Sequence, residues 1–202
     1  MAQTTILYAG LATPTNAAFS TATTGGTLAA GTYSYRVSAL DGNGGETLAS
    51  TATTQVTTGT TSTVTVNWGA VAGATGYKVY GRTGGNEQLL ATLGNVTGWT
   101  DAGSVTPSGA LPTANTTGKG AATSSDVVIA AGAKARIGIF GAAGAHLPPG
   151  VPFAVMQDTP SADNIVAYLD GSNRSMLVEG PATFRVVRPP LSGDAFGVFT
   201  ET

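Results

Sequence analysis

The sequence predicts an all-β protein of two β-sandwich domains joined by a linker rich in Pro, Gly, Ser and Thr. Three observations lead there. Short stretches alternate residue by residue between apolar and polar, the period of a strand with one buried face. Turn-forming residues recur every eight to twelve positions or so, as in sandwich folds. No stretch carries the spacing of an amphipathic helix. At 202 residues the chain is long enough for two small domains with a core each.

The clearest strand lies in "GTYSYRVSALDGNGGET", residues 31 to 47. Tyr33, Tyr35, Val37 and Ala39 share one face, and Ser34, Arg36 and Ser38 share the other, which is expected to be wet. Asp41-Gly42-Asn43-Gly44-Gly45 then supplies residues that tolerate positive φ, so the chain reverses tightly. A strand is expected over 46–56. In "TVTVNW", Val64, Val66 and Trp68 face one way and Thr63, Thr65 and Asn67 the other. In "GYKVYGR", Tyr77 and Val79 alternate with Lys78 and Tyr80, and further strands are expected at 88–93 and 96–101. These elements place a first sandwich over 1–104. The run "DAGSVTPSGALPTANTTGKG" has no alternation, and 105–120 reads as the linker. Strands resume in "DVVIA", "ARIGIF", "PFAVMQD", "NIVAYLD", "SMLVE", "ATFRVV" and "AFGVF", giving a second, smaller sandwich over 121–202. Asp170-Gly171-Ser172-Asn173 reads as a hairpin turn between two of them.

Composition bounds the function. Charged residues make up 10% of the chain and hydrophobic residues 42%, against roughly 25% charged in ordinary soluble domains. A free monomer keeps itself soluble with mixed surface charge, so so neutral a chain is expected to pack against sister copies or partners. Net charge is −2, and the nine Lys and Arg are scattered with no two adjacent; no basic stripe suits a nucleic acid. The absence of cysteine excludes disulfides and thiolate metal sites. "MAQTTILYAGLATPTNAAF" lacks the pattern of a secretory signal, and no apolar run approaches the ~20 residues of a membrane helix. The expectation is synthesis in a cytoplasm with no membrane partner.

Residues 11 to 101 resemble the fibronectin type III-like or immunoglobulin-like modules common in bacteriophage virion proteins. The segments that carry the resemblance are "GTYSYRVSALDGNGGET", "VTVNWGAVAGATGYKVYGR" and "LLATLGNVTGWTDAG". In the usual fibronectin module the Trp-bearing strand precedes the "GTYSYRV"-like strand, whereas here it follows, so a rearranged strand order is expected. The C-terminal half is similar to small β-domains of phage head or tail surface proteins, through "GPATFRVVRPP". The resemblance implies a non-enzymatic virion structural protein, foremost a capsid decoration protein on the head surface. It would be assembled in the host cytoplasm, bind the major capsid protein or other virion proteins, and form homo-oligomers on the particle. A tail or fibre adhesin or carbohydrate-binding module, with host-surface polysaccharide as partner, is the alternative.

Candidate chemistry is weighed residue by residue, and no catalytic, cofactor or metal residue is assigned. "IGIFGAAGAHLPPG" resembles the glycine-rich turn of dinucleotide-binding folds. Read from Gly141, however, its third glycine would fall on Leu147, and Pro148-Pro149 would stop the helix such a turn requires. A plain loop is preferred. His146 is the only histidine, which leaves imidazole catalysis and metal binding without a second ligand of its kind. Asp41, Asn43 and Glu46 could offer oxygens to calcium, but the twelve-residue ligand pattern is absent and a turn is preferred. Asp158, Asp163 and Asp170 could include a carboxylate pair for glycoside chemistry, although scattered acids are usually solvated. Trp68, Trp99, Tyr77 and Tyr80 could stack on sugar rings, but the alternation of Trp68 with Val64 and Val66 puts it in a core.

Overall fold

The computed structural model of the chain describes residues 2–147 and 150–202. Among these the protein is all-β and contains no helix. The strands, in chain order, are β1 (Gln3–Leu7), β2 (Ser20–Ala22), β3 (Gly31–Leu40), β4 (Thr53–Thr57), β5 (Thr63–Asn67), β6 (Gly76–Arg82), β7 (Gln88–Leu93) and β8 (Gly98–Asp101). Then follow β9 (Ala122–Thr123), β10 (Val127–Ile129), β11 (Lys134–Gly141), β12 (Phe153–Asp158), β13 (Asn164–Leu169), β14 (Ser175–Glu179), β15 (Ala182–Arg188) and β16 (Phe196–Glu201).

The chain divides into two compact units, and the division is not the expected one of 1–104, 105–120 and 121–202. Leu11–Thr116 form one unit; the chain up to Gly10 and Thr117–Thr202 together form the other. The deciding contact is between the ends: β1 pairs antiparallel with β16, Gln3 opposite Glu201 and Thr5 opposite Phe199. The module of residues 11–116 is therefore an insertion between the first strand of a unit and the rest of it. Local alternation reports that a strand exists, whereas its partner is fixed by long-range register. The segment expected to link domains lies against the inserted module up to Thr116. Ser108 N donates to Leu89 O, the Asn115 amide to Leu11 O, and Thr116 N to Glu46 O.

In the inserted module two antiparallel sheets, β2-β5-β8 and β4-β3-β6-β7, turn apolar faces into one cluster. Val64, Val66 and Trp68 come from the β5 side, and Tyr35, Val37, Ala39, Tyr77 and Val79 from β3 and β6. The rings of Trp68 and Tyr77 pack 5.4 Å apart. The arrangement is sandwich-like, as the alternation predicts.

Two local expectations change. The second face of β3 is not wet: Ser34 and Ser38 are buried. Ser34 Oγ donates to Glu87 Oε1 at 2.6 Å and Ser38 Oγ to Glu46 Oε1 at 2.6 Å, so polar partners rather than water satisfy that face. The strand expected over 46–56 begins only at Thr53. Before it, hydroxyls replace backbone acceptors, with Val37 N donating to Ser50 Oγ and Ala39 N to Thr47 Oγ1. Ser and Thr bond a neighbouring backbone through their side chains, and so displace the regular ladder.

The other unit contains sheets β1-β16-β11-β14 and β10-β15-β12-β13, with β9 beside β15. Their inner faces share a cluster that includes Ile137, Ile139, Phe153, Val155, Leu169, Val186, Phe196 and Val198. On the outer face of the first sheet aromatic rings cover glycines of adjoining strands. A Cβ on Gly138 would meet the Phe199 ring at 2.4 Å, and one on Gly197 would meet Phe140 at 2.8 Å. Arg188 ties the chain ends together from a buried position, donating from Nε to Gly120 O and from Nη1 to Tyr8 O and Phe196 O.

Candidate functional site

The register of β10-β15-β12-β13 sets its two faces. Phe153, Val155, Phe184, Val186 and Leu169 point into the core. The residues between them form the outer face, where Tyr168 lies opposite Ala154 and Ala154 opposite Val187. One row along, Ile165 lies opposite Met156 and Met156 opposite Arg185. Val128 of β10 sits opposite Thr183. Tyr168 and Ile165 are each 52% exposed and Val128 77% exposed, so this outer face carries exposed apolar side chains at both edges of the sheet, with Arg185 between them.

Charge lies on the same face. The Arg185 guanidinium meets Asp126 at 3.5 Å, Asp158 at 3.7 Å and Asp163 at 3.5 Å. One cation among three carboxylates leaves an excess of negative charge. Each pair is partly exposed and adds little stability, but together they fix the sign of the local field.

The residues singled out from sequence mostly go elsewhere. Asp158 and Asp163 are brought together, but around Arg185 rather than across a cleft, and Asp170 instead caps its own turn. Asp170 Oδ1 accepts from Ser172 N and Asn173 N, and these amides hold its carboxyl below the usual range. Asp41, Asn43 and Glu46 do not converge. Asp41 Oδ1 accepts from Asn43 N and Gly45 N, while Glu46 turns to Ser38, Lys78 and Tyr80. Among the described residues no group of three or more His, Cys, Asp or Glu is placed to hold a metal ion. His146 is exposed on the loop after β11, its backbone N–H donating to Asp194. Gly141–Ala145 line a cleft of about 480 Å³ with Phe140 and Asp194, and Pro148 and Pro149 lie outside the described residues. Trp68 and Tyr77 are core residues, Tyr80 is buried against Glu46, and Trp99 is partly buried against the same core. These four make no exposed platform.

Two further carboxylates, Asp101 and Glu87, are buried, and Glu46 nearly so, all in the inserted module. Burial alone would raise the Asp101 pKa, but hydrogen bonds from Arg82, Gly103 N and Tyr35 hold it below the usual range. Burial likewise works against Glu46 and Glu87, and is outweighed by Lys78, Ser38 and Tyr80 at the first and by Ser34 and nearby backbone amides at the second. Burial and the Asp101 charge push the Tyr35 hydroxyl well above its ordinary value. These groups are locked into structural pairs.

The chain matches no protein-family model, no curated protein and no solved structure. The surface must be read on its own chemistry. Sequence reading missed it, yet a signal was present: "NIVAYL" is apolar at both parities. A strand with one wet face alternates; one with apolar residues on both sides does not.

Proposed function

We propose that the chain is a non-enzymatic structural protein of a bacteriophage particle, a capsid decoration protein that binds the coat lattice of the head. The observation that carries the reading is the set of exposed apolar side chains, Tyr168, Ile165 and Val128, on the outer face of β10-β15-β12-β13 in a chain with only 10% charged residues. Surfaces of that kind mark lasting contact with a partner. The unit of residues 117–202 with β1 is the docking unit, and binding follows from burying Tyr168, Ile165, Val128 and their neighbours against coat protein. A specific interface covers about 800 Å² on each partner, and a symmetric shell repeats it, so copies assemble as oligomers on the particle.

The inserted module is a fibronectin type III-like or immunoglobulin-like β-sandwich with rearranged strand order. Its sheets of three and four strands suit such a module. The "GTYSYRV" strand β3 and its partner β4 precede β5, which leads into Trp68, yet β3 and β5 lie in different sheets around one core. The test is co-sedimentation of the purified chain with empty heads of the phage that encodes it, followed by imaging. The expected result is saturable, regularly spaced density on the head. Failure to attach overturns the reading, and attachment at the tail alone moves it to the adhesin class.

A further inference from the structure

The edges of the sheets differ in how they are protected. Exposed edge backbone invites another strand, and proteins blunt it with short strands, charge, proline or cover. β2 and β10 have three residues each and β8 four. β1 opens with the exposed Gln3, Thr4 and Thr5. β4 is mostly Thr and Gln, β7 is bridged by Ser108 at Leu89, and β14 ends on Glu179, paired with Lys134. β13 has only a bulge. Its six residues contain no charge and no proline, and Ile165, Val166 and Tyr168 are exposed. The bulge leaves Val166 unpaired between Ile165 and Ala167; it twists the edge and so blunts it in part, but puts nothing over it.

The charges around β13 choose the occupant. Asp163 precedes the strand and Asp170 follows it, while Asp126 and Asp158 stand beside Asp163 on Arg185. A second copy adding its own β13 about a two-fold axis between Val166 and Ala167 would set Asp163 opposite the other copy's Asp170. Like charges directly opposite are destabilising. A strand with Lys or Arg at its ends meets carboxylates instead.

We propose that β13 accepts an extended segment of another protein, apolar at alternate positions and flanked by Lys or Arg, as an added strand of the sheet. That the donor is a coat protein rests on the function proposed above; the strand chemistry does not. Backbone amides supply affinity, Ile165 and Tyr168 pack against alternate donor side chains, and the acids fix register.

The probe is the synthetic peptide Lys-Lys-Thr-Val-Thr-Val-Thr-Lys-Lys, titrated calorimetrically into the full chain and followed by hydrogen exchange over residues 164–169. The expected result is binding that slows exchange in β13 and weakens with salt, and about tenfold weaker binding of the same peptide with Glu at its ends. Ile165→Glu is expected to weaken binding about tenfold although it adds negative charge; tighter binding would mean charge attraction alone and would overturn the proposal. Equal binding of the two peptides would overturn it, as would a wild-type dimer in sedimentation that Ile165→Glu dissociates. Heads that bind wild type and Ile165→Glu equally refute this inference and the outer face as the docking surface, and leave attachment to the head standing. Peptide binding without head binding does the reverse.

Discussion

Replacing Asp101 with Asn removes the charge from a fully buried carboxylate. Its Oδ1 accepts from Arg82 Nη2 at 2.7 Å and Gly103 N at 2.8 Å, and its Oδ2 from Arg82 Nε at 2.8 Å and Tyr35 Oη at 2.9 Å. Every neighbour donates, so the amide nitrogen of Asn faces a donor wherever it points. The Arg82 side chain is only 15% exposed and keeps a charge with no carboxylate beside it. Breaking a buried pair from one side costs about 3–5 kcal/mol, and the partial exposure of Arg82 puts Asp101→Asn at the low end, about 3 kcal/mol. For a unit of roughly 100 residues that lowers the melting temperature by roughly 12–24 °C. Both tryptophans, Trp68 and Trp99, belong to the inserted module, so tryptophan fluorescence of the full chain in denaturant follows this unit. A loss below about 1 kcal/mol, the range of solvated surface pairs, would refute the buried cluster. Arg82→Met combined with Asp101→Leu should recover part of the loss, since apolar replacement of a whole pair is often neutral.

Acid should weaken the same module. Asp101, Glu46 and Glu87 titrate below their ordinary values when folded, so the unfolded chain takes up protons first as pH falls. Their contribution is full above about pH 5 and is lost progressively below about pH 4; fluorescence-detected midpoints across that range should show a shallower decline for Asp101→Asn. Arg188→Met leaves the carbonyls of Gly120, Tyr8 and Phe196 without their charged donor. It should cost about 2–4 kcal/mol, with hydrogen exchange rising in β1 and β16 and not in β3. Gly138→Ala drives a methyl into the Phe199 ring and should destabilise its unit by about 1–3 kcal/mol, partly reversed by Phe199→Leu in a denaturation series.

Much of the strand inventory was legible because burial imposes a two-residue period. Tyr35, Val37, Ala39, Val64 and Val66 are all fully buried, as their alternation requires. What was hidden depends on distance along the chain. β1 finds β16, and Arg188 reaches Tyr8, across nearly the whole sequence. No local pattern marks the insertion of residues 11–116 or the Asp126, Asp158 and Asp163 group around Arg185. The buried polar face of β3 misled for another reason: Ser34 and Ser38 read as solvent-facing because polarity reports hydrogen bonding, and here the partners are Glu87 and Glu46. The apolar outer surface at Ile165 and Tyr168 could have been read from the failure of "NIVAYL" to alternate.

The central claim is that the outer face of β10-β15-β12-β13 is covered when the protein is in place on its particle. Hydroxyl-radical footprinting at Tyr168, 52% exposed in the chain alone, measures this most directly. The account predicts strong protection of Tyr168 on heads relative to the free protein, while Val56 of β4, 61% exposed, stays reactive. Equal oxidation of Tyr168 in the free and attached states would contradict it.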